Sequence, residues 1–334
     1  MPEPRPKEDL RSKTPAELAD IIRSLGAQPF RAKQLFSWLQ KGVTSLERMT
    51  DLPASLKTAL SERCFISFCA AEKVFVSADG TRKFLFSLHD GETIESALLR
   101  YRHGNTLCVS SQVGCKMGCG FCATGMCGFA RDLLPGEMLG QISAAGEHSG
   151  LKISNAVLMG MGEPLDNFDN VARFLELIAL PGENQIGARH ISLSTCGVVP
   201  GIYRLLELRS QITLSVSLHA PNDEIRGALM PVNKRWGVDE LLEACRAYIK
   251  ATNRRISFEY ALMAGVNDSG ACAGELSRKL RGMLCHVNLI PANPVRGSAY
   301  ATSGTVDIRR FSEILRQNGI NATLRRTLGA DIRA

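Results

Sequence analysis

The sequence predicts an α/β protein built around a partial (β/α)6 barrel, preceded by a small N-terminal helical domain and a β-hairpin extension. Two observations carry that expectation. From Thr106 onward, short runs of β-formers alternate with amphipathic stretches, the pattern of a parallel sheet made of βα units. Polar motifs also recur directly after strand after strand, where parallel barrels place their chemistry, which favours a barrel over a doubly wound sheet. The 334 residues, 45% of them hydrophobic, leave room for one large domain and a small one.

Residues 1–64 read as the helical domain. Thr14-Pro15-Ala16-Glu17 is a capping box with proline at the first helical position. Behind it Leu18, Ile21, Ile22 and Leu25 fall at helical spacing until Gly26. A second helix places Ala32, Leu35, Phe36 and Leu39 on one face and ends near Gly42, and a third follows Pro53 with Leu56, Ala59 and Leu60 inward. Such a bundle serves either as an accessory RNA-binding module or as a plain domain cap. Residues 65–105 read as the extension, with strands at Phe65–Cys69, Val74–Ser77, Phe84–Leu88 and Ile94–Tyr101 and turns at Asp79-Gly80 and Asp90-Gly91.

Residues 106–334 supply the barrel and a basic C-terminal segment. Its six strands are expected at Thr106–Ser110, Ala156–Met159, His190–Ser194, Ile212–Ser217, Ile256–Ala261 and Val287–Ile290. The helices between them are expected at Pro135–Glu147, Asn170–Ile178, Pro200–Leu208, Val238–Thr252 and Ala271–Leu280.

Composition narrows the class. No apolar run approaches a membrane span, and the charged, proline-rich start Met1–Asp9 has no signal-peptide apolar region behind it. Eleven cysteines, an odd number, fit a reducing compartment in which thiols are ligands, catalysts or small buried apolar groups. A cytoplasmic protein with no membrane contact is therefore expected; the oligomeric state is not legible in the sequence, and a monomer is the default. The net charge of +7 permits a nucleic-acid partner without requiring one. Lys7, Arg11, Lys13, Arg31, Lys33, Lys41, Arg48 and Lys57 near the start, and Arg309, Arg310, Arg316, Arg325, Arg326 and Arg333 near the end, are either phosphate contacts or solvated helix faces.

The strongest chemical signal follows the first barrel strand. Cys115, Cys119 and Cys122 stand at C-x3-C-x2-C spacing on one tight loop. Ordinary [4Fe–4S] clusters take four cysteines; three close together grip three irons and leave one iron open. This spacing resembles that of radical S-adenosylmethionine (SAM) enzymes, in which the amino and carboxylate groups of SAM take the open iron. A structural zinc loop is the alternative, but it normally needs a fourth ligand and a second knuckle, which is missing here.

The other strand ends add weaker signals. Gly160-Met161-Gly162-Glu163-Pro164 exposes backbone to a small ligand and offers Glu163 to an ammonium group, although glycine and proline there are ordinary turn chemistry. Ser194-Thr195-Cys196-Gly197 offers hydroxyls to a carboxylate or ribose. Ser217-Leu218-His219-Ala220-Pro221-Asn222-Asp223 carries a lone histidine, more often structural than functional. Pro291-Ala292-Asn293-Pro294 holds an amide rigidly enough to read an adenine or ribose edge.

Ser110–Cys115 with the cysteine loop, Met159–Leu165, Ser217–Asp223 and Leu229-Met230-Pro231 together resemble the RlmN/Cfr family, radical SAM methyltransferases acting on adenine carbons of RNA. The likeness runs from about residue 14 to the end. It implies that Cys115, Cys119 and Cys122 hold a [4Fe–4S] cluster, and that Gly162, Glu163, Ser194, Ser217, Leu218, His219 and Asn293 bind SAM. It also implies that Cys108 is a second catalytic cysteine and that Glu95 handles the proton from the target carbon. The implied reaction is methylation of adenine C2 in 23S ribosomal RNA and in transfer RNA, with C8 methylation as the alternative. Two SAM molecules would be used, one to methylate a cysteine near the C-terminus and one to supply the radical, and flavodoxin or a similar protein would donate the electron. Cys108 would release the product through a transient disulfide.

The chain departs from the family in two places. The family closes on Gly-x-Asp-Ile-x-Ala-Ala-Cys-Gly-Gln-Leu, whose cysteine carries the methyl, whereas this sequence reads Gly329-Ala330-Asp331-Ile332-Arg333-Ala334. Neither Cys272 nor Cys285 matches that cysteine by context. The sequence as written is therefore expected not to complete the methyl transfer, either through truncation or as a paralogue that cleaves SAM or binds RNA without methylating it. Cys127, five residues past Cys122, is the smaller departure and reads as a bland substitution.

Overall fold

The computed structural model describes residues 7–293, 295 and 297–332. Residues 1–6, Pro294 and Arg333, all considered above, lie outside the described residues.

The helical start folds as its caps dictate. Helix α1 (Pro15–Ser24) opens on the reciprocal box: the Glu17 amide donates to Thr14 Oγ1 at 3.3 Å and the Thr14 amide to Glu17 Oε2 at 2.7 Å. Helices α2 (Phe30–Gln40) and α3 (Ala54–Arg63) follow. Leu18, Ile22, Leu35, Leu39, Leu56 and Leu60 turn inward onto a hydrophobic cluster of their own. Strands β1 (Glu8–Asp9) and β2 (Cys64–Phe65) pair in parallel and bring the two ends of this unit together. The expected single strand Phe65–Cys69 is thus divided. Ser67 leaves the ladder because its amide and hydroxyl both donate to the Asp9 carboxylate, at 2.9 Å each. Arg11 is also not a phosphate contact: it is buried, and its guanidinium donates to the Val43 carbonyl at 2.8 Å.

Strands β3 (Cys69–Val76), β4 (Arg82–Leu88) and β5 (Thr93–Tyr101) run antiparallel. They turn at Gly80 and Gly91, whose φ of +85° and +87° suit glycine. Strand β6 (Gly104–Cys108) pairs antiparallel with β5 and begins the barrel. A two-stranded ribbon, β7 (Gln112–Gly114) with β8 (Phe129–Asp132), then brackets the cysteine loop and the single turn α4 (Ala123–Met126).

From there strands and helices alternate: α5 (Pro135–Ser149), β9 (Ile153–Leu158), α6 (Phe168–Ile178), β10 (Ile191–Thr195), α7 (Val199–Glu207) and β11 (Thr213–Ser217). They continue as α8 (Asp223–Leu229), α9 (Val238–Thr252), β12 (Ile256–Leu262), α10 (Gly270–Leu280), β13 (Cys285–Pro291), α11 (Thr305–Gln317) and β14 (Ala322–Leu324). The strands form one ten-stranded sheet in the order β14-β13-β12-β11-β10-β9-β6-β5-β4-β3, parallel from β6 through β14. The hairpins therefore extend the barrel sheet and cover what would otherwise be its β6 edge. Strand β14 is a seventh parallel strand beyond the six expected. Its three residues, Ala-Thr-Leu, are too few and too exposed to leave an apolar alternation.

Alternation along the strands sorts the two faces of the sheet. Leu107, Leu158, Leu193, Val216, Phe258 and Leu289 are buried in the main core with the helices. The intervening positions, including Ser194, Ser217, Glu259 and Asn288, are largely polar, so the concave face is polar and lines a cavity. Among the described residues, no helix is long and apolar enough to cross a membrane.

Candidate active site

A cavity of about 390 Å³ opens at the C-terminal ends of the parallel strands, within the range usual for small-molecule sites. Nine of the residues singled out from sequence line it: Cys115, Cys119, Cys122, Gly162, Glu163, Ser194, Ser217, His219 and Asn293. Leu218 does not; it is fully buried in the core beneath. A cavity of about 20 Å³ at the seam between the helical start and the barrel admits little more than water and lies apart from this rim.

Backbone bonds shape the cysteine loop. The Cys115 amide donates to Gly128 O at 2.7 Å, the Gly120 amide to Leu229 O at 3.0 Å, and the Cys122 amide to Cys119 O at 3.1 Å. At Gly114, φ is +77° and an added Cβ would stand 2.0 Å from Gly128 O, so only glycine allows this closure. Burial pushes the Cys115 thiol up to about 11 and the Cys119 thiol up to about 12, and neighbouring acidic groups add to both shifts. Thiols on one wall of a partly buried cavity would need a cationic partner to act together as thiolate ligands. Among the described residues, no three His, Cys, Asp or Glu side chains converge as ligands of a single ion do. The thiols stand as neighbours on one wall instead, a donor set that fits three corners of a cluster.

The glycine-rich exit of β9 packs straight onto the base of that loop. An added Cβ at Gly160 would lie 2.8 Å from Ser110 N, and one at Gly162, where φ is +101°, would lie 2.8 Å from Gln112 N. Gln112 is fully buried and ties the parts together. Its Nε2 donates to Asp132 at 2.8 Å and Asp166 at 2.9 Å, and its Oε1 accepts from the Glu163 amide at 2.9 Å. The Glu163 carboxylate bridges two strand exits, accepting from the Leu165 amide at 3.0 Å and the Cys196 amide at 2.7 Å. Burial pushes its carboxyl above the usual range despite these donors.

His219 takes a left-handed φ of +56° and is buried. The Ala261 amide donates to its Nδ1 at 2.9 Å, which leaves the neutral ring's proton on Nε2. Burial, helped by the Arg226 charge, lowers its pKa to about 3. Its ring meets Phe121 of the cysteine loop edge to face, with centroids 4.8 Å apart. His219 is thus a neutral wall of the cavity.

Glu95 and Cys108 sit off this rim. Glu95 is half exposed on β5 and pairs with Lys83 at 2.9 Å. Its amide contacts Met161 Sδ at 3.3 Å, which puts it one strand away from the glycine-rich exit. Cys108 ends β6 beside Met159. The Met159 amide and Arg325 favour its thiolate, but burial outweighs them and pushes the thiol up to about 11. Met159 and Arg325 themselves line the cavity.

Sequence reading missed two contributors. Arg226 of α8 is fully buried. Its Nε donates to Leu218 O at 3.1 Å, while Nη2 donates to Cys196 O at 2.6 Å and Ser217 O at 3.2 Å; Nη1 reaches Asn233 at 3.0 Å. One guanidinium so fixes the exits of β10 and β11. Glu259, a buried acid on the cavity wall, accepts from Asn288 at 2.7 Å and Ser257 at 3.1 Å. A carboxylate in mid-strand among Ile256, Phe258 and Tyr260 was a usable sequence signal. Arg325, named from sequence among the basic residues that contact phosphate or face solvent, follows β14 and lines the cavity.

Comparison with known proteins supplies the relatives. A family model described as the radical SAM superfamily matches residues 109–271, and one described as a ribosomal RNA large subunit methyltransferase N-terminal domain matches residues 8–66. The chain is 50% identical, over 91% of its length and 88% of the relative's, to a probable dual-specificity RNA methyltransferase RlmN of Clostridium tetani. It is 48% identical to the Alkaliphilus metalliredigens protein of the same description, over 98% of this chain and 93% of that one. Among solved structures, a radical SAM methyltransferase from Sphaerobacter thermophilus superposes with a TM-score of 0.92 at 44% identity, covering 97% of each chain.

Proposed function

We infer the reaction from one premise: the chain belongs to the RlmN family of radical SAM RNA methyltransferases. It is accordingly a SAM-dependent RNA methyltransferase that works with a [4Fe–4S] cluster and SAM. The finer reading proposed is methylation of C2 of a specific adenine in 23S ribosomal RNA and in transfer RNA, with two SAM molecules consumed per methyl transferred. The observation that carries it is the convergence of the cysteine loop and four separate strand exits on one cavity.

The residue roles proposed are these. Cys115, Cys119 and Cys122 would hold the cluster, which when bound supplies the electron that cleaves SAM. The backbone bared at Gly160 and Gly162 would let a small ligand lie close against the β9 exit. Ser194, Ser217 and Asn293 present polar groups to its carboxylate, ribose or adenine. Glu163 and Arg226 would act chiefly by fixing the exits in register, since the Glu163 oxygens accept from the Leu165 and Cys196 amides and the Arg226 nitrogens donate to backbone carbonyls and Asn233. His219, kept neutral, offers a donor without adding charge beside the thiolates. Cys108 would hold or give up a proton at Sγ where the cavity meets Arg325, and Glu95 would exchange one at its carboxylate from the neighbouring strand. Radical chemistry is needed because adenine C2 is not acidic and does not attack a sulfonium methyl directly.

In this reading residues 1–64 form the accessory RNA-binding unit, 65–105 the extension and 106–334 the barrel. The protein would act as a cytoplasmic monomer, with flavodoxin or a similar carrier supplying electrons. The test is anaerobic: reconstituted protein, reductant, SAM and an unmodified 23S RNA fragment, with 5′-deoxyadenosine and methyladenosine measured together by mass spectrometry. 5′-Deoxyadenosine is expected, and any methyladenosine formed alongside it is expected to carry the methyl on C2. A methyl on C8 would overturn the regiochemistry, and deoxyadenosine without methyladenosine would overturn methyl transfer by this chain.

A further inference from the structure

A second cavity, of about 220 Å³, adjoins the first and shares Met159 and Arg325 with it. It occupies the concave face of the sheet over β6, β9 and β10. Its lining includes Tyr101, His103, Asn155, Arg189, His190 and Arg325. Among the described residues, every ionisable group in that lining is basic or a phenol, with no carboxylate. The Arg189 and Arg325 side chains are exposed, and neither forms an ion pair among the described residues. His190 is held in place by Asn155, Nδ1 to Oδ1 at 3.0 Å.

At the end of β5 the exposed rings of Tyr101 and His103 lie nearly parallel, with centroids 5.1 Å apart and an interplanar angle of 10°. The pair is built by the β5–β6 turn. Gly104 there has φ +131°, and an added Cβ would come within 2.2 Å of Ser154 Oγ. A cationic hollow free of acids selects an anion, and a flat aromatic pair on its rim suits a planar base. Because the two cavities share Met159 and Arg325, a polymer whose reactive base occupied the first would have a neighbouring residue within reach of the second.

We propose that this second cavity is a nucleotide subsite, taking a residue of the RNA strand next to the target. Its base lies against the Tyr101–His103 pair and its phosphodiester at Arg189 and Arg325. This rests on the RNA methyltransferase reading and adds where the flanking strand runs. RNA loops are read in this way, with splayed bases on aromatic side chains and the backbone on arginine.

The test uses the full chain and a fluorescent RNA hairpin whose loop carries the 23S target adenine, with Kd measured by anisotropy across a salt series. Arg189→Gln is expected to weaken binding about tenfold at low salt and to reduce the salt slope by roughly 0.7 to 1, the loss of one phosphate contact. Tyr101→Ala is expected to weaken binding roughly 5- to 100-fold with the slope unchanged, the loss of one base stack. Arg189→Lys and Tyr101→Phe, which keep the charge and the ring, are expected to stay within about threefold of the wild type in the same terms. SAM affinity, measured in parallel, should not move. Wild-type binding with Arg189→Gln and Tyr101→Ala indistinguishable from it would overturn the subsite alone. Conservative variants as weak as the deletions would likewise overturn it, because the residues would then be structural. Failure of the wild type to bind RNA would instead overturn the parent reading.

Discussion

At the residue scale the site is governed by which polar atoms are already taken. Arg226 has every nitrogen engaged without one carboxylate partner, so its charge is met by carbonyl dipoles. Arg226→Leu strands those acceptors in the interior and is expected to cost about 3 kcal/mol or more, read from urea unfolding, with SAM affinity falling as the exits loosen. A loss below about 1 kcal/mol would mean that the carbonyls find other donors. His219 makes a prediction of opposite character. Its folded pKa, lowered to about 3, lies below the unfolded value of 6.5, so between these limits the unfolded chain binds the extra proton. Stability therefore rises with pH across that window and is lost on acidification, at up to about 1.4 kcal/mol per pH unit from this group. Asparagine tolerates a left-handed φ and can keep an acceptor for the Ala261 amide. His219→Asn is accordingly expected to flatten the difference in stability between pH 6.5 and pH 4. Parallel pH profiles of variant and wild type would refute this.

At the scale of elements, the strand exits decide the geometry, and glycine decides the exits. Gly162→Ala adds a methyl against the Gln112 backbone at a φ of +101°, combining overpacking with left-handed strain. About 2–4 kcal/mol of destabilisation is expected, measurable as a lower urea midpoint at unchanged slope. Little change would show that the β9 exit can move off the cysteine loop. The same elements show how much could be read beforehand. The cysteine loop, the five long barrel helices and the polar exits were legible because their signals are local: ligand spacing, helical period, strand alternation. Strand β14 was not, because three exposed residues carry no period. Arg226 was not, because its role depends on carbonyls that the fold collects from different strand exits. The Tyr101–His103 pair was hidden for the same reason, since its partner cavity is formed by β9, β10 and the segment after β14.

At the scale of the whole molecule, the polar concave face poses a problem of closure: β14 and β3 are opposite edges of one open sheet. The segment after β14 joins the two sides. It leaves the cavity at Arg325, whose amide donates to Leu289 O at 2.8 Å, and docks on the β3–β4 turn. There the Gly329 amide donates to Asp79 Oδ2 at 2.8 Å, and Asp331 accepts from the Ser77 hydroxyl at 2.5 Å and the Ala78 amide at 3.3 Å. The Gly329 and Thr81 amides hold the Asp79 carboxyl well below the usual carboxylate range. A carboxyl lowered on folding contributes at pH above its unfolded value and is lost only as pH falls through the folded one. The tie therefore persists through the mild acid that already strains His219. Asp79 is exposed, so removing it should release the segment without unfolding the sheet. Asp79→Ala is expected to speed amide exchange at Gly329 and its neighbours while exchange in β9–β13 stays as in the wild type. Unchanged exchange at Gly329 would mean that Asp331 alone secures the segment. Faster exchange throughout the barrel would mean that closing the sheet edges stabilises the whole fold, and the segment would then be part of the core architecture.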